Sequence, residues 1–387
     1  MVKFAHIADV HLGGWKQQPL QELNFKSFQE AIGICISRKV DFVLLAGDLF
    51  DSPYPPIDVL KETFSEFRKL KDAGIPCFMI AGSHDYSASG KTFLDVLEKT
   101  GFCKNVVDFE ETENEIFLKP TIHNNVSIYG FPGKKTGLEV QDIKKIKLQP
   151  TSEENLKILM LHTTLDRVVG NLPIESVDSS KLPRTDYCAL GHIHVLYNRD
   201  EFVYPGPLFP NNFKELEDLS HGHFVISDTS NPRDIERISL PLKEVEKINI
   251  NLTNGFTATD EIISDIKKRN VENKIILLRV SGELEKGKNS DLDFQKVEKF
   301  ARENGAYFLL KNIHNLKTRE DDLDFEVKSM ENVEEESLRI YSEQNPSEFN
   351  NLVYLIINTL SMEKQEGETS DSFTRRLTDE ARKILNF

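Results

Sequence analysis

The N-terminal part of the chain alternates short apolar runs with longer stretches in which apolar residues recur every three or four positions. The short runs predict buried strands, because they are continuous and bounded by turn residues. They lie at residues 3–8, 42–46, 76–80, 126–130, 158–162, 188–190 and 224–227. The longer stretches predict helices, one through Phe25, Phe28, Ile32 and Ile36 and another through Leu60, Phe64, Phe67 and Leu70. This alternation predicts an α/β domain over residues 1–244, with the last four strands in a second sheet.

The pattern changes near residue 244. Apolar runs at 247–251, 274–280 and 306–310 alternate with helical patterns around Ile262 and from Phe294 to Glu303. They predict a small β-α-β-α-β domain at 245–316, which is either a structural appendage or, as the family resemblance described below implies, a capping domain that assists a site in the larger domain. Residues 317–344 are predicted to be an acidic linker, because Glu320 to Glu336 contains nine acidic residues and one lysine.

Two helices are predicted in the tail, residues 345–387. The first begins at an Asn345-Pro346 cap with Glu348 behind it and carries an apolar stripe. That stripe consists of Phe349, Leu352, Val353, Ile356 and Leu360. Phe373, Leu377, Ile384 and Leu385 form the second stripe. Helices beyond a charged linker need a surface that buries such stripes, either a partner protein or the chain's own core.

Composition limits the class of protein. The 387 residues contain no apolar run of 18, so we expect neither a membrane span nor a signal peptide, and a cytoplasmic location. Cys35, Cys77, Cys103 and Cys188 form no Cys-x-x-Cys pair, which argues against a zinc ribbon or redox centre. The net charge of -15 opposes nucleic-acid binding, although lysines cluster at Lys134-Lys135 and at Lys144, Lys145 and Lys147.

Polar clusters follow five of the predicted strands. They are Asp9-Val10-His11, Gly47-Asp48-Leu49-Phe50-Asp51, Gly82-Ser83-His84-Asp85, His162 and Gly191-His192-Ile193-His194. Open α/β sheets build their sites at the carboxyl ends of strands. In Asp9/His11 and His192/His194 the i, i+2 spacing would turn both side chains to one side of an extended segment. Any one cluster alone is more often a turn, a cap or a core residue, but the ordered set predicts one site.

Imidazole and carboxylate without thiolate favour Mn²⁺, Fe²⁺ or Zn²⁺, with Mg²⁺ also possible. Two such ions about 3.5 to 4 Å apart can stabilise the attacking and leaving oxygens of a phosphoryl transfer. One carboxylate must then bridge them, and Asp48 is the best placed. We therefore expect two ions, Mn²⁺ by preference.

These motifs, in this order, resemble the calcineurin-like metallophosphoesterases, and more closely the nuclease subunit of the double-strand-break repair complex (SbcD-like). The resemblance covers roughly residues 1–225 and implies a four-layer α/β/β/α sandwich. It implies one metal on Asp9, His11, Asp48 and His194, and another on Asp48, His162, His192 and Ser83. It also implies His84 as the catalytic residue at the phosphate, with Asp51 and Asp85 in support.

Position 83 departs from the family pattern, which usually has Asn there. A serine hydroxyl is shorter and a poorer ligand than an amide carbonyl, so we expect the second metal to bind through water or more weakly.

The expected function is an Mn²⁺-dependent DNA exonuclease and endonuclease of double-strand-break repair. The resemblance implies an SMC-like coiled-coil ATPase bound by the tail helices, and a homodimer. The helices before Arg68 and around Leu94 to Leu97 are candidates for its interface. One alternative is a phosphatase or nucleotide phosphodiesterase, although Ser52 replaces the arginine of protein phosphatases. The other is a non-catalytic scaffold.

Overall fold

The computed structural model describes residues 2–87, 92–134, 139–169 and 175–318, the four tail residues 352, 355, 359 and 362, and the helix Ser370–Leu385. Contacts divide the chain into one compact unit at Met1–Thr318 and a second at Arg319–Phe387. The predicted first tail helix lies almost wholly outside the described residues, and so does the acidic linker beyond Thr318. Lys135 of the first basic cluster also lies outside them. Leu352, Leu355 and Thr359 are helical.

The larger unit contains most of the described strands and helices. In chain order the strands are β1 Lys3–Ile7, β2 Phe42–Ala46, β3 Cys77–Ile80, β4 Lys104–Asn105, β5 Phe109–Glu111, β6 Ile116–Leu118, β7 Thr121–His123, β8 Val126–Phe131, β9 Ile146–Leu148, β10 Leu156–His162, β11 Tyr187–Gly191, β12 Tyr197–Arg199, β13 Phe202–Tyr204, β14 Gly222–Asp228, β15 Glu236–Leu240, β16 Val245–Asn251, β17 Ile275–Leu284 and β18 Phe308–Thr318. The helices are α1 Gln18–Ser37, α2 Ile57–Asp72, α3 Phe93–Lys99, α4 Glu139–Ile143, α5 Asp166–Val169, α6 Phe213–Leu219, α7 Gly255–Lys267 and α8 Phe294–Glu303.

Two six-stranded sheets form the N-terminal part, in the orders β15-β14-β1-β2-β3-β4 and β12-β13-β11-β10-β8-β7. Strands β1 to β4 are parallel, as are β8, β10, β11 and β13. The predicted α/β class is confirmed.

The placement of the strand at residues 224–227 in the second sheet is wrong. That strand, β14, pairs antiparallel with β1 in the first sheet, with Lys3 opposite Asp228. The chain returns to the first sheet after β13, because β1 still has a free edge there. A continuous apolar run marks a buried strand but does not specify its partner.

The alternation of side chains along the strands builds the layers. Phe4, Phe42 and Phe78 face Ile128, Met160 and other residues of the second sheet between the two sheets. Their neighbours along the strands pack against α1, α2 and α3. The outer face of the second sheet packs against α4 together with the small sheet β5-β6-β9. The outer layer on that side is therefore mixed.

Residues 245–318 form a parallel sheet in the order β16-β17-β18, with α7 and α8 packed on one face. The other face places Ile275, Leu277 and Leu310 in a cluster with Trp15, Leu20 and Leu216 of the N-terminal part. The last strand continues to Thr318, two residues into the segment predicted to be linker.

Among the residues that the structure describes, no helix is both long and apolar enough to cross a membrane.

Candidate metal centre

Strand order brings the predicted site residues to one place. Asp9 and His11 follow β1, Asp48 follows β2, and residues 83 to 85 follow β3 of the first sheet. His162 is the last residue of β10 and His192 follows β11 in the second sheet. Because the parallel strands of each sheet end at the same edge, the loops of the two sheets meet there.

The backbone in these loops is not extended, so the expectation of an i, i+2 extended geometry is wrong. The φ angles are 52° at Asp9, 49° at His11, 51° at Asp48 and 96° at His192. A positive φ costs about 1–3 kcal/mol at a residue other than glycine. The loops turn sharply after each strand, which aims the side chains back over the sheet edge. A sequence pattern with period two carries no information about such turns.

Asp48 lies at the centre of the site. Its Oδ2 atom is 3.2 Å from Nε2 of His162 and 3.6 Å from Nε2 of His11. Its Oδ1 atom accepts a hydrogen bond of 2.8 Å from the backbone N–H of His84. Gly82 leaves room for this carboxylate, since a Cβ atom there would stand 2.2 Å from Oδ1. The carboxylate is therefore held between imidazoles that come from both sheets.

Three imidazoles have their Nδ1 atoms engaged on the side away from the centre. Nδ1 of His11 is 3.1 Å from Oδ1 of Asp51, and Nδ1 of His162 is 2.9 Å from the carbonyl oxygen of Ala46. Nδ1 of His194 is 3.0 Å from Oε1 of Glu215. An acceptor at Nδ1 fixes the proton there and leaves Nε2 as the free ligand atom. The Nε2 atoms of His11 and His194 are 3.2 Å apart.

The donor atoms form three overlapping groups: Asp9, His11 and His194; Asp48, His162 and His192; and His11, Asp48 and His84. Within each group all donor atoms lie within 4.8 Å of one another. Two donors that bind one ion at about 2.1 Å and at right angles are about 3 Å apart, close to the spacings seen here. The first group contains three residues of one expected ligand set, and the second group contains three residues of the other set.

Two buried atoms of the candidate ligands, Oδ2 of Asp9 and Nε2 of His162, lack a hydrogen-bond partner among the residues that the structure describes. Nε2 of His162 is close to Asp48 but not in hydrogen-bonding geometry. Buried polar atoms are normally satisfied. A cation bound by these nitrogen and oxygen donors would satisfy both atoms, so the residues present fit a divalent metal.

Opposite charges dominate the electrostatics of the protein without metal. Burial would lower the pKa of His162, but the carboxylates of Asp48 and Asp9 raise it to about 10. Burial would raise the pKa of Asp48, but the two neighbouring imidazoles hold it well below its usual range. His192 differs, because burial and the charge of His162 lower its pKa to about 4. A site that attracts protons so strongly at one imidazole also favours a metal cation there.

The remaining predicted residues lie around Asp48. Oγ of Ser83 is 3.4 Å from Oδ2 of Asp48. Asp85 is buried and accepts hydrogen bonds from the backbone N–H groups of Leu49, Phe50 and Gly82. These bonds tie the loop after β3 to the loop after β2. Burial, and then the charge of Asp48, raise the pKa of Asp85 to about 6.

His84 borders the open side of the site. Its side chain is 45% exposed, against 2% or less for His11 and His162. Nδ1 of His84 is 3.0 Å from the carbonyl oxygen of Asp51, and its ring meets that of His11 edge-on at 4.7 Å. The arrangement offers a buried set of ligands with one accessible imidazole beside it, which suits a substrate that approaches from solvent.

Sequence reasoning missed Glu215 and Asn211. Glu215 holds His194, and Asn211 donates its backbone N–H to Oε2 of Glu215 at 2.8 Å. The side-chain amide of Asn211 lies 3.5 Å from Oδ1 of Asp51. The signal available was Asn212 followed by Glu215, which is the pattern of an ordinary helix cap. Asn212 does cap α6, and Glu215 serves the cap and the histidine at once.

Comparison with known proteins gives a family match. A model of the calcineurin-like phosphoesterases matches residues 2–196, the segment that carries all the clustered residues except Asn211 and Glu215.

Individual relatives are distant in sequence. A DNA double-strand break repair protein Mre11 of Methanosarcina acetivorans is 27% identical over 79% of this chain and 49% of its own length. One from Methanocaldococcus jannaschii is also 27% identical, over 69% of this chain and 75% of its own. An uncharacterized metallophosphoesterase, YhaO of Bacillus subtilis, is 26% identical over 68% of this chain and 66% of its own. The chain spans about half the length of the Methanosarcina relatives it matches.

Proposed function

Because this chain belongs to the calcineurin-like phosphoesterase family, we propose that it is a DNA nuclease that hydrolyses phosphodiester bonds with two divalent cations, Mn²⁺ by preference. The observation that carries the proposal is the convergence of imidazole nitrogens from both sheets on the carboxylates of Asp48 and Asp9. Asp9, His11, Asp48 and His194 would hold one ion. Asp48, His162, His192 and Ser83 would hold the other.

The bound ions would supply positive charge to the phosphate. They would also lower the pKa of water, so that hydroxide is available at neutral pH. The chain's own residues then divide the remaining work. Asp51, Ala46 and Glu215 keep three imidazoles oriented with Nε2 free. The exposed imidazole of His84 is anchored by its Nδ1–H to the Asp51 carbonyl, so the proton for the leaving oxygen would come from Nε2 of the doubly protonated ring.

DNA as the substrate, with a place in double-strand-break repair, is supported by the names of the relatives. The surface that would bind DNA includes the capping unit at 245–318, which packs beside α6 near the site. Of the basic clusters, Lys134 is paired with Asp142 at 2.6 Å, whereas Lys144 and Lys147 are exposed. The exposed lysines are the better candidates for phosphate contacts.

We also assign an SMC-like coiled-coil ATPase as the partner of the tail. The helix Ser370–Leu385 bears Phe373, Leu377 and Ile384 at helical spacing, and each side chain is partly exposed within its own unit. Leu377→Asp should abolish copurification with the ATPase and leave cleavage of free DNA unchanged. Copurification that survives this change would contradict the assignment.

The proposed homodimer needs a revised surface. Leu94 and Leu97 are 3% and 0% exposed and pack in the core of their own chain, so they cannot supply an apolar patch. Ile57 at the start of α2 is 81% exposed and Val96 in α3 is 40% exposed. A homodimer through α2 and α3 would use these two side chains. Ile57→Asp should then give a monomer in sedimentation, while an unchanged mass would exclude this surface.

The decisive assay measures nucleotide release from an end-labelled DNA duplex with Mn²⁺. His84→Ala removes the proton donor and should therefore cleave DNA about 10²- to 10⁴-fold more slowly than the wild type. His314→Ala is the matched control, because His314 is exposed on β18. Hydrolysis of p-nitrophenyl phosphate without cleavage of DNA would instead identify a phosphatase. Inertness toward both substrates would identify a scaffold.

A further inference from the structure

Helix α6 lies between the candidate metal centre and the capping unit, and it contacts each with a different face. Successive residues of a helix are about 100° apart. Phe213, Leu216 and Glu217 therefore share one face, and Glu215 projects from the opposite face. The structure shows a separate partner on each side.

The face that carries Glu217 is bound by the capping unit. Nε and Nη2 of Arg279, on β17, donate to the two carboxylate oxygens of Glu217 at 3.0 and 2.7 Å. The same guanidinium stacks over the ring of Phe213, with its central carbon 5.1 Å from the centroid. Leu216 belongs to the apolar cluster that joins the two parts. Such a paired and stacked arginine fixes its partners more closely than a point charge would.

On the opposite face, Glu215 contacts His194, one of the proposed metal ligands. Oε1 of Glu215 is 3.0 Å from Nδ1 of His194 and accepts a second hydrogen bond of 2.6 Å from the side-chain amide of Asn212. Oε2 accepts from the backbone N–H of Asn211. The carboxylate is thus immobilised by the start of its own helix, and the orientation of the His194 ring follows the position of α6.

We propose that Glu215 and Arg279 are positioning residues that couple the capping unit, through α6, to one of the two metal sites. The inference rests on the proposed metal centre and deepens it. The coupling is confined to one site: His162 is held by the Ala46 carbonyl of β2, whereas His11, assigned to the same ion as His194, is held by Asp51, whose Oδ1 also lies 3.5 Å from the side-chain amide of Asn211. A displacement of α6 therefore moves His194 and spares the site of Asp48, His162 and His192.

The test is a titration of the full-length, metal-free protein with Mn²⁺, followed by electron paramagnetic resonance to count ions and by calorimetry for affinities. Glu215→Ala should weaken one of the two sites by about 10- to 100-fold, as expected when a ligand histidine loses its support. Glu215→Gln should recover part of that loss, because an amide oxygen still accepts the proton of Nδ1. Equal loss in both variants, or none in either, would overturn the role of Glu215.

Arg279→Ala should weaken the same site by about 2- to 30-fold. Arg269→Ala is the matched control, because Arg269 makes a similar two-nitrogen contact with Asp265 inside the capping unit, at 3.2 and 3.1 Å, and does not reach α6. The control should bind both ions as the wild type does. Equal weakening by Arg269→Ala would mean that loss of any ion pair in the capping unit loosens the site, and the proposal would fail.

The double variant distinguishes coupling from general damage. If the effect of Arg279 passes through Glu215, Arg279→Ala should cause no further loss in a Glu215→Ala background. Additive losses would refute the path through α6. These affinities are measured without DNA, so the two proposals can fail separately. Wild-type protein that binds two ions but cleaves no DNA would refute the proposed nuclease activity, while the binding data would still test the coupling through α6.

Discussion

Replacing Gly47 by alanine should damage the fold and the metal centre together. Gly47 has φ +88°, and a Cβ atom there would stand 2.3 Å from Nδ1 of His162, where ordinary contacts begin near 3.4 Å. The imidazole must therefore retreat by about 1 Å, which breaks its 2.9 Å contact with the Ala46 carbonyl. Gly74→Ala is the control, because Gly74 has φ +70° but no atom of the described residues lies within 4 Å of the added atom.

Both variants carry the strain of a positive φ, about 1–2 kcal/mol. Gly47→Ala adds about 1–3 kcal/mol for the forced repacking and about 1–3 kcal/mol for the lost hydrogen bond. Urea unfolding in EDTA should therefore show Gly47→Ala to be less stable than Gly74→Ala by about 2–6 kcal/mol. Manganese affinity should fall at least about tenfold for Gly47→Ala alone. Equal stabilities, or a wild-type affinity, would show that His162 is not seated against Gly47 as described.

Two further predictions concern single side chains, Ser83 at the site and His6, which is buried in β1. Ser83→Asn supplies an amide oxygen with longer reach toward Asp48 and should tighten the weaker manganese site about tenfold, or ~1.4 kcal/mol. An unchanged manganese affinity in calorimetry would contradict this. Ser52→Asn, at an exposed position, is the control. Burial lowers the pKa of His6 from 6.5 to about 3, so the unfolded chain binds a proton first as the pH falls, and stability is lost progressively below pH 6.5. By pH 5 the loss is about 2 kcal/mol. His6→Gln should lack this part of the acid sensitivity in urea unfolding at pH 7.5 and 5, and identical losses in both proteins would exclude it.

The sequence predicted the elements that depend on local pattern. Strand β2 begins at Phe42 and ends at Ala46, as the apolar run indicated, and the polar clusters lie at strand ends because parallel strands share an edge. Features that depend on tertiary context were not predictable. The pairing of β14 with β1, the positive φ at Asp9 and the burial of Leu97 each depend on segments distant in the chain.

Glu215 illustrates the same limit at the site. Its sequence neighbourhood is that of a helix cap, and the cap is present. Its contact with His194, 21 positions earlier in the chain, arises only because the segment after β13 passes the loop after β11. The helix cap fully accounts for Glu215 in the sequence, so the contact with His194 leaves no local signal.

The proposed chemistry depends on two cations that share the carboxylate of Asp48, and anomalous diffraction from crystals equilibrated with Mn²⁺ can detect them. Two manganese peaks should lie about 3.5 to 4 Å apart, one beside Asp9, His11 and His194 and one beside His162 and His192, with an oxygen of Asp48 bound to both. A single peak at saturating manganese, or two peaks that leave Asp48 unbound, would contradict it.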